Sequence, residues 1–163
     1  MGTKVSIRPA TVDDSVKTAA VFLAARATMS YLPQLHTDDD TRAYIGRILC
    51  EHQAIVAEEE ERIVGFAVLR DDWLDHLYVD PSRFNRGIGT TLLRAIKELR
   101  PDGFQFWVFQ QNLGARRLYE QHGCCVAEFT DGSGNEERLP DVRYTWTPLG
   151  PRMPSSALRR SKA

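Results

Sequence analysis

Two short segments hold the residues whose types and spacing could do chemistry. In the first, an apolar run ends in Leu77-Tyr78-Val79-Asp80-Pro81. A polar loop then leads into Arg86-Gly87-Ile88-Gly89-Thr90-Thr91, after which Leu92, Leu93, Ile96 and Leu99 recur at helical spacing. The pattern predicts a strand, a glycine loop and a helix start. Such a loop turns several backbone N–H groups toward one point at the positive end of a helix dipole, where a phosphate or pyrophosphate is the natural occupant. Gly87 and Gly89 carry no Cβ, so the backbone can come close to that occupant, and Arg86 adds a charge. A glycine pair before a helix also serves plain packing in many sheet-to-helix turns. Neither common phosphate fingerprint fits: there is no G-x-x-x-x-G-K-S/T, and no G-x-G-x-x-G followed by a suitably spaced acid. A mononucleotide P-loop and a Rossmann site both lose weight.

The second segment, Asn112-Leu113-Gly114-Ala115-Arg116-Arg117-Leu118-Tyr119-Glu120-Gln121-His122-Gly123, follows a strand-like run from Phe104 to Phe109. Asn112 is a good N-cap residue. Ala115 and Leu118 would share a buried face, and Gly123 sits where a helix C-cap belongs. Tyr119 lies about two turns beyond Asn112, on roughly the same face. Alone, this is a short amphipathic helix with a half-buried tyrosine.

Together the two segments resemble the GNAT superfamily of N-acetyltransferases. The first is similar to its acetyl-CoA motif, Q/R-x-x-G-x-G/A, and the second to its N-x-x-A-x-x-x-Y motif. The register holds at Pro81, Gly87, Gly89, Asn112, Ala115, Tyr119 and Gly123, and the resemblance covers residues 4–148. Two positions depart from the pattern: Phe84 stands where Gln or Arg is usual, and Cys124 where an aromatic commonly follows the glycine.

The resemblance implies an α/β (α+β) fold with a mixed, mostly antiparallel central sheet and helices on both faces. It implies acetyl-CoA as cosubstrate and no metal. Pyrophosphate would lie on the N–H groups of Asn85, Arg86, Gly87, Ile88, Gly89 and Thr90. With Phe84 in the motif's first position, that binding rests on backbone and Arg86. Pantetheine would lie between splayed strands against Leu77, Tyr78 and Val79, near Asn112, with Tyr119 beside the thioester sulfur. The acceptor pocket would come from Tyr31, Leu32, His36, Thr37 and the 134–141 region with Glu137.

Acetyl transfer to an amine needs a deprotonated nucleophile, donors for an oxyanion, and a proton or hydrogen bond for the departing thiolate. Backbone N–H groups near Leu77–Val79 suit the oxyanion. Tyr119 suits the thiolate, since a phenol titrates near about 10, above a thiol of the CoA type. For the base, His76 is the candidate whose ordinary pKa lies near neutrality. Strand alternation places His76 with Leu74 and Tyr78 on one face, and Asp75 with Leu77 and Val79 on the other. Asp75, Glu136, Glu137 and a water relay stay open as alternatives. Asp38, Asp39, Asp40, Glu136, Glu137 and Asp141 would give the acceptor side an acidic rim that favours a cationic amine.

The elements that must position these residues follow from periodicity and turn residues. Val5–Arg8 alternates like a first strand. Thr11 with Asp14 forms a capping-box variant before a helix whose face is marked by Val16, Ala20, Leu23 and Ala27. Tyr31-Leu32-Pro33 ends it. Thr37-Asp38-Asp39-Asp40 starts a second helix with Tyr44, Ile48 and Leu49 inward. Residues 54–57 and 63–69 form a hairpin around a solvated acidic turn, Glu58 to Glu61. Strands follow at Trp73–Val79, at Phe104–Phe109 after the Arg100-Pro101-Asp102-Gly103 turn, at Cys124–Phe129 and at Val142–Trp146. The order is β-α-α-β-β-β-α-β-α-β-β. Residues beyond Pro148 read as a disordered tail.

Bulk properties bound the rest. With 163 residues the length suits one domain. Hydrophobic residues at 42% and charged residues at 26% are ordinary for a globular chain. A net charge of −1 argues against nucleic acid as a partner. No apolar run approaches the ~18 residues of a membrane span, and Met1-Gly2-Thr3-Lys4-Val5 has no signal-peptide core. Gly2 with Ser6 fits a short, common myristoylation pattern. Three cysteines, two of them adjacent, argue against a disulfide framework. The expectation is a cytoplasmic monomer or homodimer that acetylates the primary amine of a small molecule. A protein lysine or N-terminal acetyltransferase is the alternative within the class, and a non-catalytic acyl-CoA-binding module the alternative outside it.

Overall fold

The computed structural model describes residues 4–149; the tail expected to be disordered and the myristoylation pattern at Gly2 fall outside the described residues, apart from Leu149 and Ser6. The strands are β1 (Ser6–Pro9), β2 (Gln53–Glu59), β3 (Arg62–Arg70), β4 (Trp73–Val79), β5 (Phe104–Phe109), β6 (Cys125–Phe129) and β7 (Asp141–Trp146). The helices are α1 (Ser15–Ala27), α2 (Asp38–Glu51), α3 (Ile88–Leu99) and α4 (Leu113–Gln121). The sheet runs β1-β2-β3-β4-β5-β7-β6. Only β4 and β5 are parallel neighbours; every other pair is antiparallel. The expected mixed, mostly antiparallel sheet with helices on both faces is what the chain forms. Among the described residues no helix is long and apolar enough to cross a membrane.

Strands β2 and β3 are buried almost throughout because helices cover both their faces. On one face Ile55, Ala57, Val64, Ala67 and Leu69 pack with Ile88, Leu92, Leu93 and Ile96 of α3 and with Tyr119 of α4. On the other, Val56, Phe66 and Val68 pack with Phe22 of α1 and Ile45, Ile48 and Leu49 of α2. Gly65 is what lets α3 settle on the sheet. A Cβ there would sit 3.1 Å from Leu92 Cδ1, 3.1 Å from the Tyr78 carbonyl oxygen and 3.2 Å from Ile88 Cγ2.

Three local expectations are corrected. Helix α1 buries Thr18, Val21, Phe22 and Ala25, while Val16, Ala20 and Ala27 are exposed and Leu23 is only half-buried. Apolar residues lie on both sides of this helix. The side that wins carries the Phe22 ring, which packs 6.5 Å from Phe66 and 5.0 Å from Tyr78. Helix α1 also stops at Ala27, ahead of Tyr31-Leu32-Pro33. The acidic run is not all solvated turn. Strand β2 continues to Glu59; Glu58 pairs with Arg8 at 3.1 Å and the nearly buried Glu59 with Arg83 at 3.3 Å. Only Glu60 and Glu61, both with positive φ, form the turn.

The capping acid does more than cap. Asp14 accepts from Arg8 Nη1 and Nη2 at 2.9 Å each and from the Thr11 N–H at 2.8 Å. The Arg8 hydrogen bonds, helped by Thr11 and opposed by desolvation, lower its pKa from 3.8 to about 2. A depressed carboxylate stabilises the fold above its unfolded pKa and loses that contribution as pH falls toward the folded value. With Arg8 37% exposed, the pair is worth about 1 kcal/mol after screening. Asp14→Asn is expected to lower urea-unfolding stability by about that much at pH 7, and the gap to wild type should shrink below pH ~3.

Candidate active site

A bulge in β4 shapes the site. Opposite β3, His76 pairs with Val68 and Leu74 with Leu69, which leaves Asp75 as an extra residue. A bulge breaks the two-residue alternation and sharpens the twist. Leu74 therefore joins Leu77 and Val79 on the α3 and α4 side, whereas Tyr78 packs on the α1 and α2 side, where His76 meets Phe22. The face assignment made from simple alternation is wrong at Leu74 for this reason. Beyond the bulge β4 leaves β5: the two are registered only at Trp73 opposite Gln105. Strand β5 instead pairs along its full length with β7. The gap opens into a cleft of about 1370 Å³.

At the helix-start side of the cleft, Asn85 (φ 63°) and Gly87 (φ 79°) bend the chain through left-handed conformations. Gly87 is the N-cap of α3, and no side chain caps the first turn. The N–H groups of Ile88, Gly89 and Thr90 thus have no intrahelical acceptor. Asn85, Gly87, Ile88, Gly89 and Thr90 all line the cleft, joined by Arg83 and Phe84. Arg86 is exposed and stands outside the lining, so the guanidinium at the loop is Arg83, held by Glu59. Gly89 has a packing reason as well: a Cβ would lie 3.0 Å from Leu118 Cδ2 of α4 and 3.9 Å from Val79 Cγ2. The start of α3 can lie close against the Leu118 side chain of α4 because this residue is glycine.

Leu77, Tyr78 and Val79 line the cleft from β4. Asn112 lines it from α4, where its side-chain oxygen accepts the Ala115 N–H at 3.2 Å. Tyr119, 6% exposed, also lines the cleft, its ring 4.4 Å from Phe106 and 6.2 Å from Tyr144. Burial, with smaller effects from Cys124 and Tyr78, raises its pKa far above the ordinary phenol value. It remains a phenol, and therefore a hydrogen-bond donor, across the working pH range.

A third group forms where α1 meets the loop before β7. Arg26 Nη2 donates to Glu137 Oε1 at 3.3 Å, the two side chains 25% and 17% exposed. Burial raises the pKa of the Tyr78 phenol, and the nearby Arg26 opposes the rise. The Tyr31 ring packs 6.1 Å from Phe109, and its buried hydroxyl has no partner. Arg26, Tyr31, Tyr78 and Glu137 all line the cleft. His36 does not: it is 56% exposed and paired with Glu136. The acidic rim is also revised. Asp38–Asp40 are the exposed first turn of α2, and Asp141, though at the cleft, is occupied by Thr130 and Asn135. Glu137 faces a cation. Arg26 was missed by sequence reasoning, since an arginine in a helix's last turn reads as a dipole charge; only the fold brings it beside residue 137.

His76 borders the cleft from β4 as a half-buried residue whose ring nitrogens are turned from solvent. Its Nε2 shares a 2.7 Å hydrogen bond with the Tyr44 hydroxyl, and its buried Nδ1 has no partner. Desolvation, with smaller contributions from Arg26 and His52 and against Asp75, lowers its pKa from 6.5 to about 4. The neutral-range titration expected of it does not survive this burial. Asp75 is held by Arg70 at 2.9 Å and 3.2 Å. Among the described residues no group of His, Cys, Asp and Glu side chains is arranged to hold a metal.

The acetyltransferase (GNAT) domain family matches residues 50–123, from the end of α2 to the glycine after α4. Solved structures agree over nearly the whole fold. A GCN5-related N-acetyltransferase from Rhodopseudomonas palustris superposes with a TM-score of 0.75 at 24% identity, covering 90% of this chain and 98% of its own. YjaB from Escherichia coli gives 0.72 at 22%, covering 88% and 97%. An N-acetyltransferase from Staphylococcus aureus gives 0.68 at 21%, covering 89% and 99%. No curated protein matches at comparable strength. A sheet opened by a β4 bulge, an uncapped α3 start on the opening and a tyrosine from α4 beside it thus coincide with the match of residues 50–123 to the acetyltransferase (GNAT) domain family, and the whole chain shares the fold of the solved GNAT structures.

Proposed function

We propose that the protein is an acetyl-CoA-dependent N-acetyltransferase whose acceptor is the primary amine of a small molecule. The observation that carries this reading is the uncapped first turn of α3 opening on the same cleft as the Tyr119 phenol. Acetyl-CoA fits that arrangement. Its pyrophosphate suits the N–H groups of Ile88, Gly89 and Thr90, and its pantetheine amides suit the backbone of Leu77–Val79 that β5 leaves unpaired. It supplies a thioester carbonyl for direct attack by the amine through a tetrahedral intermediate. The N–C bond forms, the C–S bond breaks, and the sulfur leaves as a thiolate. Tyr119 is the donor to that sulfur. Its raised pKa puts full proton transfer to a thiolate further uphill, so a hydrogen bond is its main contribution. The proposed setting is cytoplasmic, with neither nucleic acid nor membrane as partner and a monomer or homodimer as the working form. Calorimetry with acetyl-CoA and thiol release against an amine panel test the reading; no acetyl-CoA binding by the wild type overturns it.

The burial of His76 sets the pH dependence. A histidine with a pKa of about 4 stays neutral above pH ~5 and produces no limb near neutrality. The acid limb of kcat/KM then belongs to the amine, since ammonium has no lone pair: the rate should rise about tenfold per pH unit up to the amine's own pKa. Two acceptors of different basicity should shift the limb by the difference in their pKa values. His76→Ala should leave the limb in place. A limb at pH 6–7 that disappears in His76→Ala would restore the histidine as base.

A further inference from the structure

We infer that the acceptor is an α-amino acid, its carboxylate held by Arg26 and its amino group beside Glu137. The inference rests on the acetyl-transfer reading and narrows its substrate. The cleft wall at the end of α1 presents a cation and an anion in contact, Arg26 Nη2 and Glu137 Oε1, 3.3 Å apart. An α-amino acid carries its own opposite charges on a single carbon, so the two pairs of charges match in spacing. On entry each protein charge exchanges part of its contact with the other for contact with the ligand.

Arg26 has donors to spare for this. A guanidinium offers five N–H groups in a planar fork, a geometry suited to a carboxylate. The ion pair with Glu137 uses one of its nitrogens, at the long distance of 3.3 Å. The Phe22 ring lies under the guanidinium, 5.4 Å from its central carbon to the ring centroid. The second observation is Tyr31. Its hydroxyl is buried without a partner, on the same wall as Arg26 and Glu137. Buried hydroxyls are rarely left unpaired, because the lost hydrogen bond costs stability. A carboxylate oxygen beside Arg26 would satisfy it. Tyr78 lines the same cleft as Arg26 and Tyr119, between this wall and the reacting end. A plain hydrophobic amine would leave the Tyr31 hydroxyl unpaired, and a dication would meet Arg26 unfavourably.

The test is thiol release from acetyl-CoA with matched acceptors: L-phenylalanine, L-methionine and L-leucine, against their decarboxylated amines and their carboxamides. Comparison is made at pH values that give equal free-amine fractions. The amino acids should exceed both analogues by at least about tenfold in kcat/KM, as expected for a charge-assisted contact. Arg26→Gln should abolish that ratio mainly through KM, with acetyl-CoA affinity unchanged by calorimetry. Arg26→Lys should recover part of it. Tyr31→Phe should reduce it with little effect on the amines. Amines or amides that match the amino acids, or a preference that persists in Arg26→Gln, overturn the inference while leaving acetyl transfer intact. Absence of thiol release with every acceptor despite acetyl-CoA binding instead overturns the acetyl-transfer reading, and the inference with it.

Discussion

Tyr119→Phe is expected to lower kcat by about 100-fold or more while leaving acetyl-CoA affinity nearly unchanged. The ring is locked between Phe106 and Tyr144 and only 6% exposed, so phenylalanine keeps the packing and removes only the hydroxyl. The phenol is more useful to a departing thiolate than to an intact thioester, because charge on the sulfur develops only as the C–S bond breaks. The loss should therefore fall on kcat. Steady-state kinetics with calorimetry on both proteins decides it, and a variant with wild-type kcat would reduce Tyr119 to a packing residue.

Gly89→Leu is the second large effect. Even a bare Cβ at residue 89 would lie 3.0 Å from Leu118 Cδ2, so a longer side chain must push α4 from α3 or enter the cleft. Either outcome moves the N–H groups of the α3 start away from a bound pyrophosphate. Acetyl-CoA affinity should fall by more than about tenfold, roughly 1.4 kcal/mol. Gly87→Ala separates backbone strain from crowding. Its Cβ would meet nothing within 4 Å, and its only penalty is the left-handed φ of 79°. Calorimetry should show a smaller loss for Gly87→Ala than for Gly89→Leu. Equal losses would mean that loop conformation, rather than helix approach, controls binding.

The sequence carried much of this. Strands at Trp73–Val79 and Phe104–Phe109 and the Thr37 and Asn112 caps were legible because period and capping chemistry act over a few residues. The positions of Gly87, Gly89, Asn112 and Tyr119 on one cleft followed from two motifs whose spacing the fold preserves. What was illegible depends on contacts distant in sequence. The inward face of α1 was decided by a sheet that Phe22 had yet to meet. The bulge at Asp75 is a property of the β3 and β4 pairing, so alternation along β4 alone misplaced Leu74. The pKa of His76 was set by its burial against Phe22 and Tyr44. Arg26 reaches Glu137 across 111 positions of chain, a separation no local pattern encodes.

The single registered pair between β4 and β5 also bears on where the sheet keeps its unpaired edges. An unpaired strand edge is a template that invites another chain to add on. The outer edges of this sheet are guarded in familiar ways. Strand β1 is four residues long and carries Arg8 and Pro9, and β6 is short, irregular between Val126 and Glu128, and charged. The longest naked edges lie inside the molecule, where β4 and β5 face one another across the cleft with helix starts over them. A foreign strand cannot dock there without displacing α3 or α4. Backbone groups that would make an aggregation seed at the surface are thus kept in the interior, available to a slender molecule carrying its own amides and closed to another polypeptide sheet.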